Sequence, residues 1–204
     1  MKRKSVNGHD RARLVLAQEA ARIIVEQGIE DYRAAKIKAA ERLGMSGRGS
    51  LPGNAEIELA VSEHLKLYGR ESHRELLHAL RRAALSAMDV LSPFTPRLVG
   101  PVLNGTAAAN SAVNLHVFAD SSEAVAARLD EVSIAYRPYE RRLKSRRDRT
   151  ETYAGFRFDH NESHIEATVF PVNGVRQAPI SPIDGKPMQR ADFNAVKRLL
   201  LDKS

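Results

Sequence analysis

Two prolines, Pro93 and Pro96, separate a region with helical periodicity from a region with strand periodicity. Proline lacks a backbone N–H and restricts the residue before it, so a helix that reaches Pro93 cannot continue through Pro96. Before this point apolar residues recur at three- and four-residue steps, which is the helical period. After it, short segments alternate between apolar and polar side chains, as strands do. The sequence therefore predicts a helical N-terminal region, residues 1–96, followed by an α/β domain, residues 97–204.

The N-terminal region is predicted to form four helices. Their expected positions are residues 11–27, 31–43, 54–68 and 71–91. Gly28 stands where a glycine commonly ends a helix, and Asp31 can cap the helix that follows. A connection rich in Gly, Ser and Pro at residues 46–53 separates the second helix from the third.

The C-terminal domain is predicted to combine short strands with two helices. Strands are expected at residues 97–99, 113–118, 132–137, 153–158 and 165–170, and helices at 121–131 and 192–201. Residues 171–190 contain several prolines and turn-forming segments, so we expect an ordered loop or arm there. The predicted fold class is α+β, with a helical bundle before a mixed β-sheet flanked by helices.

Composition excludes several classes of protein. The chain contains no cysteine, which excludes disulfides, thiolate metal sites and cysteine nucleophiles. Charged residues interrupt every apolar stretch, so no segment approaches the roughly 20 apolar residues of a membrane span. The basic start of the chain is not followed by the apolar block of a secretory signal. We therefore expect a cytoplasmic protein that does not associate with membranes.

The beginning of the C-terminal domain carries a recognisable order of elements. A short strand leads into GPVLNGT at residues 100–106, and VNLHVF follows at residues 113–118. This order resembles the nucleotidyltransferase superfamily, the polymerase-beta-like fold that also underlies the minimal nucleotidyltransferases of toxin–antitoxin systems. In that family a strand is followed by a Gly-Ser pair and a short helix. A second strand then carries two carboxylates. A third carboxylate comes from a later strand, and the resemblance covers residues 97–170.

The resemblance implies that Asn114, His116 and Glu166 occupy the catalytic positions, with His116 and Glu166 as the candidate metal ligands. Asn114 and His116 stand where the family has carboxylates, and Pro101 stands where it has serine. Mg²⁺ selects oxygen anions, so a single carboxylate supports a magnesium cofactor only weakly.

Three interpretations of these residues stay open. They are polar residues on the open face of a catalytically dead homologue, or the cleft binds a nucleotide or another anion without reacting it. In the third, His116 acts as a base or soft-metal ligand and Glu166 orients it. We expect a divergent nucleotidyltransferase-like protein with weak or no nucleotidyl transfer that retains nucleotide or anion binding.

The resemblance also implies a set of phosphate-binding residues around the glycine turn and a basic segment. They are Gly100, Gly105, Thr106, Ser111, Arg141 and Arg142. The basic segment, residues 137–149, holds seven basic and two acidic residues, a net charge of +5. Such a cluster either binds phosphates or polyanions or forms the solvated surface of a hairpin.

A different class of function is the alternative. The first two helices loosely resemble the opening of tetracycline-repressor-like regulators, although residues 46–53 are rich in glycine where a recognition helix should begin. The alternative is a nucleic-acid-binding or regulatory interaction protein that uses these helices or the basic segment 137–149.

Overall fold

The computed structural model of the protein describes residues 8–29, 31–45, 51–67, 70–146 and 149–201. The chain forms two compact units, Met1–His73 with Ala108–Asn110 and Arg74–Ala107 with Ser111–Ser204. Helices and a five-stranded mixed sheet together confirm the α+β class. The predicted domain division after residue 96 stays a prediction. Within the described ranges, none of the helices is long and apolar enough to cross a membrane.

The first unit consists of helices α1 (Gly8–Gln27), α2 (Tyr32–Arg42) and α3 (Asn54–Leu67), as predicted from the helical periodicity. Helix α1 packs against both of the others. Asp31 caps α2 as expected, because its Oδ1 accepts a hydrogen bond of 2.7 Å from the backbone N–H of Arg33. The core is built from small and aliphatic side chains, including Ala17, Ala20, Ala21, Ile23, Ala35, Ala39, Ile57 and Val61. Residues 46–50 and Gly69 lie outside the described residues.

The second unit contains the remaining elements. They are α4 (Arg70–Val90, whose first turn precedes the unit), a 3₁₀ turn (Ser92–Phe94), β1 (Arg97–Val99), α5 (Pro101–Asn104), β2 (Val113–Phe118), α6 (Ser122–Glu131), β3 (Tyr136–Arg146), β4 (Arg149–His160), β5 (Ser163–Phe170), a 3₁₀ turn (Val172–Arg176) and α7 (Phe193–Leu201). The strand predicted at residues 132–137 is wrong in its position. Residues 132–135 form the turn after α6, with Ser133 at a φ of 57°, and the strand begins only at Tyr136.

The sheet has the strand order β1-β2-β5-β4-β3. Strands β2 and β5 are parallel neighbours, and every other neighbouring pair is antiparallel. One face of the sheet packs against α4, α6 and α7 to form an apolar core. That core includes Ala84, Met88, Leu98, Leu115, Leu129, Phe156, Phe158, Ile165 and Val196. Polar side chains therefore lie on the opposite face of the sheet.

After β5, residues 171–190 form an ordered arm, as the turn-rich sequence predicted. The backbone N–H of Ile180 donates to the carbonyl of Lys144 on β3, at 2.7 Å. At the far end of the arm, Ala191 exchanges backbone hydrogen bonds of 2.8 and 2.9 Å with Leu98 of β1. The arm therefore reaches both edge strands of the sheet.

Candidate functional site

The strand pairing places polar side chains in register on the face opposite the aliphatic core. Asn114 of β2 is the direct partner of Glu166 on β5, and Glu166 is the partner of Arg157 on β4. Arg157 in turn faces Arg137 of β3. Because side chains two apart on a strand share a face, His116 lies on the same side as Asn114. We call this surface the polar face, and it consists of Asn114, His116, Phe118, Arg137, Tyr139, Arg141, Tyr153, Gly155, Arg157, Glu166, Thr168 and Phe170.

The centre of the polar face is buried. Asn114, His116, Glu166 and Thr168 expose between 1% and 9% of their surface. The interpretation that placed these residues on an open face is therefore wrong for the centre of the sheet. A buried polar group needs a hydrogen-bond partner, so the partners of these residues define what the site can do.

Two arginines hold the buried carboxylate of the polar face, that of Glu166. Arg141 donates from Nη2 to Oε2 of Glu166 at 2.5 Å, and Arg157 donates from Nε to Oε1 at 2.7 Å. Arg141 also donates from Nη1 to Oδ1 of Asn114 at 2.9 Å. Both carboxylate oxygens are thus occupied by guanidinium groups, an arrangement that strengthens each hydrogen bond through charge.

Tyr139 packs beneath the two arginines. Its hydroxyl shares a hydrogen bond of 2.7 Å with Oγ1 of Thr168, and burial raises its pKa. The guanidinium of Arg157 lies 4.7 Å from the ring centre, and that of Arg141 lies 5.7 Å away. The ring passes over Gly155, where a Cβ atom would lie only 2.6 Å from it. The glycine is therefore required for the tyrosine to lie close to the sheet.

His116 is bonded to an arginine and not to Glu166. Its Nδ1 accepts a hydrogen bond of 3.0 Å from Nε of Arg190, so the imidazole is neutral. Burial, together with the charges of Arg190 and Arg141, holds the pKa of His116 well below its ordinary value. The interpretation in which Glu166 orients His116 is wrong in this structure, because the hydrogen bonds of Glu166 go to Arg141 and Arg157.

Arg190, the last residue of the arm, contacts the polar face. Its guanidinium lies 4.9 Å from the ring centres of both Phe118 and Phe170. Nη1 donates to the backbone carbonyls of Gly174 at 2.8 Å and Val175 at 3.3 Å. Burial lowers the pKa of Arg190 to about 10. The residue therefore links β2 to two parts of the arm.

Only the first residue of the glycine-rich turn, residues 100–105, lies beside the polar face. Gly100 and Gly105 both adopt a positive φ, 72° and 82°, around the single turn of α5. A Cβ at Gly100 would lie 3.6 Å from Nδ2 of Asn114, whereas Gly105 lies against Leu77 and Arg81 of α4. The turn thus approaches the polar face through Gly100, and Gly105 faces the helical layer.

The other predicted phosphate-binding residues lie at different places in the fold. The backbone N–H of Thr106 donates to the carbonyl of Pro101, and Ser111 precedes β2 by two residues. Arg141 belongs to the polar face, but strand alternation places Arg142 on the opposite face. The structure therefore does not bring the six predicted residues together.

Strand alternation places the described basic residues of segment 137–149 on both faces of the hairpin. Arg137 and Arg141 lie on the polar face, while Arg142 and Lys144 alternate to the other side. Arg149 pairs with Glu151 at 2.8 Å. Residues 147 and 148 lie outside the described residues, as does the side chain at 146. The described part of the segment is thus spread over two surfaces.

These residues do not fit a magnesium ion. Glu166 is neutralised by two guanidinium groups, and His116 lies beside a third. Hard divalent cations require several oxygen anions, and positive neighbours oppose their binding. Within the described ranges, no group of three or more His, Cys, Asp or Glu side chains could hold a metal ion.

Arg157 and Arg190 are site residues that were not predicted from the sequence. Arg157 stands between Phe156 and Phe158, and this alternation was a signal that it lies on the face opposite the core. Arg190 follows a turn-rich segment, and no local pattern indicates that it reaches His116, 74 residues away.

Comparison with family models, with curated proteins and with solved structures gives no match for this chain.

Proposed function

We propose that this chain is a nucleotidyltransferase-like protein that binds a nucleotide or another phosphate-bearing anion and transfers no nucleotide. One observation carries the proposal: the carboxylate at the third catalytic position, Glu166, is bonded to Arg141 and Arg157. The other two catalytic positions hold Asn114 and His116. The polar face is thus built from guanidinium groups where the resemblance implies a metal site.

The absence of transfer follows from the chemistry of the side chains. In-line displacement at a phosphoryl group depends on cations that clamp both the attacking and the leaving oxygen. Carboxylates hold those cations, and here one carboxylate remains, already paired. His116 is only 1% exposed and accepts from Arg190, so its Nδ1 has no capacity to take a proton from an acceptor hydroxyl.

Anion binding follows from the charge of the cluster. Arg137, Arg141 and Arg157 bring three positive charges to the polar face, and Glu166 brings one negative charge. Arginine donors match the geometry of phosphate oxygens and keep their charge at every physiological pH.

The test is an assay of nucleotide transfer with labelled nucleoside triphosphates, Mg²⁺ or Mn²⁺, and RNA or protein acceptors. We expect no transfer by the wild-type protein. Metal-dependent turnover that Glu166→Ala abolishes would overturn the proposal, because it would make Glu166 a catalytic metal ligand.

A second candidate function rests on the far end of the β3–β4 hairpin. Strand β4 pairs with β5 only from Gly155 onward, so residues 142–146 and 149–154 belong to a part of the hairpin that β5 does not pair with. Exposed Arg142, Lys144 and Arg149 lie on this part of the hairpin and are placed to contact a polyanion. If about three phosphates are neutralised, log K falls with log salt at a slope of roughly −2.7. Binding of duplex DNA that Arg142→Glu leaves unchanged would exclude this candidate.

A further inference from the structure

The polar face contains an unusual pair of like charges. Arg137 and Arg157 are direct cross-strand partners on the same face of the β3–β4 hairpin. Like charges directly opposite each other destabilise a sheet. Arg137 is exposed and makes no ion pair with any residue that the structure describes. An anion between the two guanidinium groups would remove their repulsion.

We propose that a dianionic phosphate group binds between Arg137 and Arg157, an inference that rests on the proposed function. On binding, Arg157 exchanges its ion pair with Glu166 for one with this ligand. Arg141 keeps Glu166 paired during the exchange. The ligand class is a phosphate with two charges, either free as phosphate or pyrophosphate or at the end of a nucleotide.

The two arginines on Glu166 differ in how firmly they are held. The side chain of Arg141 is 28% exposed and is also bonded to Asn114. The side chain of Arg157 is 58% exposed, whereas that of Glu166 is 11% exposed. Arg157 is the more exposed of the two arginines, so it is the one that can exchange Glu166 for a ligand whose own charge replaces the lost ion pair. Arg141 remains, and the buried carboxylate is never left without a partner.

The charge balance favours a dianion. Arg137, Arg141, Arg157 and Arg190 bring four positive charges to this face. Glu166 and Asp159, the next residue of β4 on this face, bring two negative charges, which leaves an excess of two positive charges. A phosphate dianion matches the excess and accepts hydrogen bonds from two arginines at once.

In this arrangement Glu166 competes with the ligand for Arg157. Glu166→Gln removes one negative charge but keeps an oxygen that Arg141 can bond. One unit charge at roughly 6 Å from the ligand, in a half-exposed site, changes the affinity about tenfold. Glu166→Gln is therefore expected to bind phosphate about tenfold more tightly than the wild type.

The experiment is a calorimetric titration of the full chain with inorganic phosphate, pyrophosphate and AMP, in the absence of metal. The wild type is expected to bind, and Arg137→Gln and Arg157→Gln each to lose about tenfold in affinity. Arg157→Lys, which keeps the charge, should retain most of the binding. Arg198→Gln, at an exposed position of α7 on the helical side of the sheet, is the matched control and should change nothing. Thermal denaturation of each variant verifies that it is folded.

The outcomes separate this inference from the proposed function. If the wild type binds but Arg137→Gln and Arg198→Gln behave alike, the anion lies elsewhere and only this inference fails. Weaker binding by Glu166→Gln would show that Glu166 positions Arg157 and would overturn the exchange. If neither the wild type nor Glu166→Gln binds any of the three anions, the proposed function fails as well. Tighter binding of AMP than of phosphate identifies a nucleotide as the source of the group.

Discussion

Gly155→Ala should destabilise the protein at the polar face, although the substitution adds only one methyl group. A Cβ at this position would lie 2.6 Å from two ring atoms of Tyr139 and 2.7 Å from the backbone carbonyl oxygen of Ala167. The carbonyl belongs to a central strand, so the β4 backbone must shift to relieve that contact. Tyr139 must leave its position as well, and its hydrogen bond with Thr168 is lost.

The magnitude follows from three contributions. Overpacking a buried site costs about 1–3 kcal/mol, and loss of a hydrogen bond costs about 1 kcal/mol. Replacing glycine by alanine within a strand stabilises by about 0.5–1 kcal/mol. The expected net loss is about 1–3.5 kcal/mol, which lowers the Tm by roughly 4–14 °C in a unit of this size.

Thermal denaturation followed by circular dichroism measures this loss. Gly174→Ala is the matched control, because its Cβ would lie 3.4 Å from the Cβ of Phe170, within ordinary contact. We expect the control to unfold within about 2 °C of the wild type. Equal Tm values for the two variants would refute the position of Tyr139 over Gly155.

Two further changes test the surroundings of the polar face. Burial lowers the pKa of His116 below its ordinary 6.5, so the unfolded state binds the extra proton and stability falls as the pH drops below 6.5. Urea unfolding should show that the free energy of unfolding of the wild type falls by up to about 1.4 kcal/mol per pH unit. The His116→Gln variant should not show this loss. An equal dependence of the unfolding free energy on pH in the two proteins would contradict the prediction. In the β4–β5 turn, Asn161 and Glu162 have φ values of 48° and 61°. Glu162→Gly should raise stability by about 1 kcal/mol, and a lower Tm would contradict this.

The periodic parts of the chain could be predicted from the sequence. Helical spacing and the cap at Asp31 indicated the helices of the first unit. Strict alternation in residues 113–118 indicated β2, and it placed Asn114 and His116 on one face. These features depend on local backbone geometry, which a short stretch of sequence specifies.

The parts that depend on contacts between distant residues could not be predicted. The hairpin strands include residues 141–146 and 149–152, where charged side chains hide the alternation expected of a strand. Burial of Glu166 depends on Arg141, 25 residues away, and that of His116 on Arg190. No spacing within the sequence indicates that these arginines bond to the two residues predicted as metal ligands.

The dependence of nucleotide binding on metal tests the central claim most directly. The affinity of the wild-type protein for ATP is measured by calorimetry in EDTA and again in excess Mg²⁺. If guanidinium groups bind the phosphates, affinity is at least as high in EDTA, because Mg²⁺ neutralises the charge that the arginines recognise. Binding that appears only with Mg²⁺ and disappears in Glu166→Ala would contradict the account.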